Sequence, residues 1–274
     1  MEKFDPNELK NLYKPSLSSH KGQNGKLMII GGSHLFHAAS LWSLKVASRI
    51  VDMVFYSSVP ENNQIVQKAK EEFRDGIVVP RDKIDHYINE SDCVLIGPGL
   101  PRKEGEDGKD DDTKELTQRL LKHYPEKKWV IDGGSLQVIS SSFLPKKSII
   151  TPHHLEFKSL FNTEGTEKTV QKMAKKCSCA VLLKGESDYV SDGDKTVQIK
   201  GGNAGMTKGG TGDALAGLVA ALYCKNYAFL SACAGSFINK KAGEELHRRV
   251  GPYFNASDLT EEIPHVMKNL LIDI

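Results

Sequence analysis

The chain has 274 residues, enough to bury a sizeable core in one large α/β unit or two small ones. Lysine and arginine number 37 against 35 aspartates and glutamates, a net charge of +2 that gives no electrostatic footprint for DNA or RNA. With 26% charged and 39% hydrophobic residues, the composition is that of an ordinary globular protein.

In chain order, the opening MEKFDPNELK has no apolar run behind a basic one, so it reads as no secretory leader, and residues 1–20 read as an N-terminal arm. Residues Lys26–Ile30 form a buried-strand signal, followed by Gly31-Gly32-Ser33 and a helical pattern over Ala38–Ile50. Further strand signals fall at 51–58, 76–79, 93–96, 129–131, 148–150 and 180–183. Helical segments lie between them at 61–73, 113–123 and 166–176. Strands alternating with helices imply right-handed crossovers and a mainly parallel sheet covered on both faces. Asp188 to Lys200 differs: Tyr189-Val190 and Thr196–Ile199 flank Ser-Asp-Gly-Asp, the pattern of an antiparallel hairpin. From Thr211 to Leu271 the chain reads as mostly helical. The apolar stretch 214–239 is divided by Lys225-Asn226 into two pieces, each short of the ~20 residues a bilayer needs, so two buried helices are expected and no membrane contact. No linker-like segment or repeat divides the chain, so one unit over 1–274 is expected.

Two clusters invite a metal reading, and both are weak. The acidic run 103–112 lacks a calcium-loop pattern and reads as a solvated loop. Cys177-x-Cys179 has no second Cys or His cluster at metal spacing. Five cysteines without framework spacing point to reduced thiols and a cytoplasmic setting.

The most informative stretch is KGGNAGMTKGGTGDALAGLVAAL, with six glycines between Gly201 and Asp213 just before a helix. The first N–H groups of a helix lack intrahelical partners, and the dipole favours negative charge there. Glycines let the backbone approach a ligand without Cβ atoms in the way. Gly209-Gly210-Thr211-Gly212 is therefore read as a cradle for phosphate oxygens. It is neither a P-loop nor a dinucleotide fingerprint: no Gly-x-x-x-x-Gly-Lys-Ser/Thr occurs, and after Gly210-x-Gly212 the next glycine is Gly217. Asp213 follows in the first turn. It reads either as a charge that steadies the helix or as the acceptor of a substrate hydroxyl proton during phosphoryl transfer. The dipole is expected to keep it ionised, leaving positioning and electrostatics to do much of the work.

Asn203-Ala-Gly-Met-Thr-Lys-Gly-Gly-Thr-Gly-Asp213-Ala-Leu-Ala-Gly217 resembles the signature of the ADP/ATP-dependent NAD(P)H-hydrate dehydratases. Lys21–Gly25 with Gly31–Ser33, Ile96–Leu100, Asp132–Leu136, Thr151–Glu156 and Leu183–Gly185 match further family motifs in order. The resemblance implies a ribokinase-like three-layer α/β sandwich. It also implies repair of the S epimer of hydrated NADH or NADPH, with Mg²⁺ and ADP (or ATP) as phosphoryl donor. Phosphorylation of the C6 hydroxyl converts a poor leaving group into phosphate, and elimination restores the reduced nicotinamide. By the same resemblance Asp213 activates the hydroxyl, and Ala39, Gly99 and His153 lie along the hydrated dinucleotide. Lys184, Gly185, Glu186, Ser187 and Asp188, with Gly209, Gly210, Thr211 and Gly212, hold the nucleotide. No metal ligands are assigned. A separate epimerase acting on the same pool and a homo-oligomer, often a tetramer, are implied too. Lys208, Ala38, Gly134 and Asp188 depart from the usual family pattern. Two alternatives stand beside this reading: a ribokinase-like small-molecule kinase that releases a phosphoester, and a non-catalytic nucleotide-binding protein.

Overall fold

The computed structural model describes residues 2–102 and 111–272. Ten strands among these residues form one sheet: β1 (Glu2–Lys3), β2 (Lys26–Ile30), β3 (Met53–Ser57), β4 (Ile77–Val78), β5 (Cys93–Ile96), β6 (Lys128–Ile131), β7 (Ile149–Ile150), β8 (Ala180–Leu183), β9 (Asp188–Ser191) and β10 (Thr196–Ile199). Their spatial order is β1-β10-β9-β8-β7-β6-β5-β2-β3-β4. Every pairing is parallel except those of β9, which runs antiparallel to β8 and β10 as the Ser-Asp-Gly-Asp hairpin predicts. The chain leaves β2 toward β3 and β4, then returns to place β5 on the other side of β2. That reversal makes a switch point where ligands of open α/β sheets bind, at the carboxyl ends of the strands.

The central strands are apolar at every position because both faces are covered. Leu27 and Ile29 of β2 pack into one core with Leu44, Ala47, Leu215 and Val219. Met28 and Ile30 pack into the other with Ile84, Leu120, Phe157 and Val170. The first face carries helices α1 (His37–Ala47), α2 (Pro60–Ala69), α8 (Thr211–Lys225) and α9 (Ala228–Val250), with α10 (Ala256–Leu271) behind them. The second carries α3 (Ile84–Glu90), α4 (Thr113–His123), α5 (Gly133–Val138), α6 (His154–Phe161) and α7 (Glu167–Cys177). This is the expected three-layer arrangement.

Helix α8 is buried almost all round, which its Ala- and Leu-rich sequence permits. Its Gly217 lies against α1, where an added Cβ would fall 2.5 Å from Ser43 Cα. The apolar stretch 214–239 is thus two packed helices, and no helix among the described residues is long and apolar enough to cross a membrane. The N-terminal arm is folded in as well: β1 pairs with β10, and Leu9 and Leu12 join the cluster between α8, α9 and α10.

Most of the acidic run 103–112 lies outside the described residues. Its end is structural: Asp111 accepts from Arg81 at 2.5 and 3.1 Å, and Asp112 caps α4 through Glu115 N. Helices α3, α5 and α6 and strand β1 extend the elements legible in the sequence.

Candidate active site

The parallel strands deliver five short segments to one edge of the sheet. Gly31–Ser33 follows β2, Gly97–Leu100 follows β5, Asp132 follows β6, Thr151–His153 follows β7 and Lys184 follows β8. Beyond β7 and β8 the backbone makes one more parallel bridge, His153 to Lys184. Helix α8 points its N-terminus at this edge.

Lys184 and Asp132 form the polar centre. Lys184 Nζ donates to Asp132 Oδ1 at 2.7 Å, and Thr151 Oγ1 donates to the same oxygen at 2.7 Å. An added Cβ on Gly212 would lie 3.6 Å from Lys184 Nζ, so the ammonium stands at the mouth of α8. Burial works against the charge of Lys184, but the carboxylates of Asp132, Glu156 and Asp213 outweigh it and hold its pKa above the usual lysine value.

Asp213 occupies the third position of α8 and is half-buried. Its backbone carbonyl accepts from Ser43 Oγ at 2.7 Å, which fixes the first turn against α1. Burial, then the nearby Asp132 carboxylate, push its pKa up to about 6 against the pull of Lys184. Near neutral pH such a carboxyl is still mostly ionised, as expected, but it is a stronger base than the helix dipole alone implies. Desolvation and a like charge outweigh the helix end and bring the group close to the working range of a general base.

A cavity of about 900 Å³ opens beside α8. His153, Lys184 to Asp188, Thr211 and Gly212 line it, together with the loop Lys200–Ala204, Asn239 and Lys240. Ala39, Gly99, Gly209, Gly210 and Asp213 are not among the lining residues. The first two meet each other at the switch point, where an added Cβ on Gly99 would fall 3.0 Å from Ala39 Cβ, 2.8 Å from Phe36 O and 3.1 Å from Gly32 Cα. The candidate residues thus fall into three groups: a cavity-lining set at β7, β8 and α8, Gly209, Gly210 and Asp213 at the mouth of α8 beside it, and Ala39 with Gly99 at the switch point between β2 and β5.

Several residues have side-chain commitments that the sequence did not show. His153 Nδ1 accepts from the backbone N–H groups of Leu155 and Glu156 at 3.1 Å each, capping α6. That leaves Nε2 as the protonated nitrogen of the neutral ring, 3.5 Å from Glu156 Oε1. Asp188 is buried: Oδ1 accepts from Gly185 N at 2.9 Å and Oδ2 from Ser236 Oγ at 2.7 Å. Its carboxylate shapes the loop from within. The Thr211 hydroxyl donates to Met206 O and Lys208 O, and its backbone N–H to Lys208 O at 3.4 Å, so its donors are engaged within the loop. Lys208 turns away from the cradle, donating to Pro252 O and lying 5.2 Å from the Phe254 ring centre. Gly134 is glycine because an added Cβ would fall 2.3 Å from Leu100 O.

Two lining residues escaped the sequence reading. Asn239 is buried, and its Oδ1 has no hydrogen-bond partner. Lys240 is a buried lysine bonded to both cavity walls. Both sit on α9, which presents only a long, weakly amphipathic pattern, so their signal was masked by the helix around them. Among the described residues no group of three or more His, Cys, Asp or Glu side chains is arranged to hold a metal ion.

The matches to known proteins follow this geometry. The family model described as NAD(P)H-hydrate dehydratase matches residues 27–265. The bifunctional NAD(P)H-hydrate repair enzyme of Methanocaldococcus jannaschii is 38% identical over 275 residues, covering 95% of this chain and 52% of that protein. The chain spans about half the length of that relative. The ADP-dependent (S)-NAD(P)H-hydrate dehydratase of Nitrosopumilus maritimus is 34% identical and covered over 91% of both chains. The crystal structure of the Bacillus subtilis ADP/ATP-dependent NAD(P)H-hydrate dehydratase, co-crystallised with ATP and Mg²⁺, superposes with a TM-score of 0.79 at 19% identity over 98% of both chains. It shares the ribokinase-like fold expected here. By the extent of the family match and of these identities, this chain belongs to the NAD(P)H-hydrate dehydratase family.

Proposed function

We propose that the chain catalyses ADP-dependent dehydration of the S epimer of hydrated NADH or NADPH, returning the reduced nicotinamide cofactor. The observation that carries this reading is Asp213. Its carboxyl group, with a pKa of about 6, stands in the first turn of α8 beside Lys184 and next to a cavity of about 900 Å³. The volume is within the range of small-molecule and cofactor sites.

In this reading ADP occupies the cavity lined by Lys184–Asp188 and α8, with its phosphates toward Gly212 and Lys184. Backbone N–H groups at the start of α8 hold the transferring phosphoryl, and Lys184 faces its charge. Asn239 Oδ1, buried without a partner, is completed by a donor from the nucleotide. The dihydropyridine lies toward the switch point, over Gly99 and Ala39, with His153 Nε2 available to donate to it. Asp213 accepts the C6 hydroxyl proton as that oxygen attacks the terminal phosphorus of ADP, and AMP departs. The ring nitrogen lone pair then expels phosphate from C6, and loss of the C5 proton restores the double bond.

The donor set sets a limit on the metal. Asp132 Oδ1 is committed to Lys184 and Thr151, and both oxygens of Glu156 to Gln137 and the His153 backbone. Mg²⁺ fits here as a cation carried mainly by the nucleotide phosphates, the usual way this ion is bound with few protein ligands. Bound so, it neutralises phosphate charge.

The test supplies each epimer of hydrated NADH with ADP or ATP and follows the near-ultraviolet absorbance of reduced nicotinamide. Recovery with the S epimer and ADP is expected. A stable phosphoester without NADH would instead make the protein a kinase, and nucleotide binding without turnover would make it a sensor.

A further inference from the structure

Lysine 240 is buried, with 8% of its side chain exposed, and its surroundings are unusual for a structural ion pair. Nζ lies 3.1 Å from Gly185 O, 3.1 Å from Glu186 O, 3.4 Å from Gly201 O and 3.2 Å from Asp188 Oδ1. An ammonium group has three N–H donors, so four oxygens around it exceed one bond per proton. Three backbone carbonyls and one carboxylate form the kind of oxygen shell that takes the place of water around a bare monovalent cation. Potassium and ammonium ions are close in radius, so the pocket around Nζ suits either.

The position of this shell matters more than its composition. Gly185 and Glu186 belong to the loop after β8, and Gly201 to the loop after β10; both loops line the cavity. Neither loop is joined to the other by a strand pairing at this point. Helix α9 holds them from one face: Ser236 to Asp188 at 2.7 Å, Lys240 to both loops, and Glu244 Oε1 to Gly202 N at 3.2 Å. These three residues recur every fourth position, so they project from the same side of the helix. Lys240 alone of the three bonds to both loops. Its ammonium therefore bridges the two walls of the cavity.

We propose that Lys240 is a positioning residue whose ammonium acts as a tethered monovalent cation, fixing the two walls of the donor-nucleotide cavity. A free potassium or ammonium ion can replace it when the side chain is truncated. The inference rests on the cavity being the donor site, and the experiment separates the two ideas.

ADP binding to the wild-type protein is measured by calorimetry first, in potassium chloride and in tetramethylammonium chloride at equal ionic strength. Absence of ADP binding in both salts would defeat the donor-site reading itself. The proposal expects wild-type binding and turnover to be equal in the two salts, because the cation is built in. A wild-type requirement for potassium would overturn it.

Lys240→Ala and Lys240→Met are then compared, the second keeping most of the stem. In tetramethylammonium chloride both are expected to bind ADP about tenfold or more weakly and to show a KM for ADP raised by a similar factor, with a smaller change in kcat, as displaced positioning groups do. Potassium or ammonium chloride is expected to restore most of that loss in Lys240→Ala and to raise its melting temperature. Rescue by an ion too small to fill the vacated stem separates replacement of a charge from repair of packing. Unchanged ADP affinity in a folded variant, or a loss that neither ion relieves, would contradict the proposal. Failure of both variants to fold in either salt would contradict it too, since the lysine is assigned a replaceable charge.

Discussion

At the mouth of α8 an added methyl group on Gly209 would meet no atom within 4 Å, and one on Gly212 would come no closer than 3.6 Å to Lys184 Nζ. At the switch point the same methyl would land 1.7 Å from Asp132 O if placed on Gly97, 2.3 Å from Pro98 O on Gly31 and 2.8 Å from Phe36 O on Gly99. Residues 209–212 read as backbone kept bare for a phosphate, and the resemblance places Gly99 along the dinucleotide. The structure separates them. Between β2, β5 and β6 the glycines are required by the protein's own packing, so the bareness of Gly99 is not by itself evidence of a ligand. At Gly209 and Gly212 no contact among the described residues asks for glycine, and the space beside them is open, as the proposed phosphoryl transfer requires. Gly210 belongs with the packing set although it lies in the loop read as a phosphate cradle: its φ is +95° and an added Cβ would fall 2.3 Å from the Trp42 ring.

The contrast can be broken most sharply at Gly97, where φ is +123°. Gly97→Ala combines a forbidden contact with a strained backbone, and a loss of at least about 4 kcal/mol is expected. The check is soluble yield and thermal melting; a well-folded variant would show that the switch point is less tightly packed than described.

Asp213→Asn comes next. Turnover is expected to fall by about 10²-fold or more while ADP affinity changes little, because the amide cannot accept the hydroxyl proton. Stability should move the other way. The folded-state pKa of about 6 lies above the ordinary 3.8, so folding favours the protonated carboxyl. The cost of ionising it is absent below the ordinary value and fully present above about pH 6. The variant is therefore expected to be more stable near neutral pH by about 1–2 kcal/mol and to show no gain in acid, part of the gain being offset by Lys184 losing a carboxylate. For the wild type, kcat/KM should drop roughly tenfold per unit as pH falls below the pKa of Asp213. Activity that stays flat through that range would remove Asp213 from the proton transfer.

Gly209→Ala is expected to have a smaller effect and to do so without unfolding. Stability should stay within about 0.5 kcal/mol, as at an unconstrained surface site, while turnover falls about tenfold because the methyl stands where the phosphoryl must approach. Full activity in this variant would move the phosphate elsewhere. Lys208→Ala sharpens the same point from outside: its ammonium is committed to Pro252 O and the Phe254 ring, so turnover should change less than about threefold.

These contrasts also mark how far the sequence could be read. Strands such as Cys93–Ile96 and Ala180–Leu183 fall where the apolar runs place them, because a strand buried on both faces has no polar positions to blur its ends. Helix α5 begins at Gly133-Gly134, residues with poor helix propensity, and it is its packing against α4 and α6, absent from the local sequence, that supports it as a helix. In the site, the α8 mouth was legible because glycines, a threonine and an aspartate are contiguous. The raised pKa of Asp213 was not, because it depends first on burial and then on Asp132, both supplied by the fold. Asp188 read as a nucleotide contact; it does line the cavity, but its oxygens are also bonded to Gly185, Lys240 and Ser236, which the sequence did not show. Residue type and spacing can place a side chain at a site, but they do not show what it already holds.

The route of one oxygen atom tests the account most directly. Hydrated NADH prepared in water enriched in a heavy oxygen isotope carries that isotope at the C6 hydroxyl, and the reaction is then run with ADP in ordinary water. If that hydroxyl attacks the nucleotide before it leaves, the released phosphate carries the isotope in step with NADH recovered. Heavy oxygen released to solvent, with unlabelled phosphate, would mean that dehydration and nucleotide cleavage are separate events, and that the mouth of α8 does not perform the transfer assigned to it.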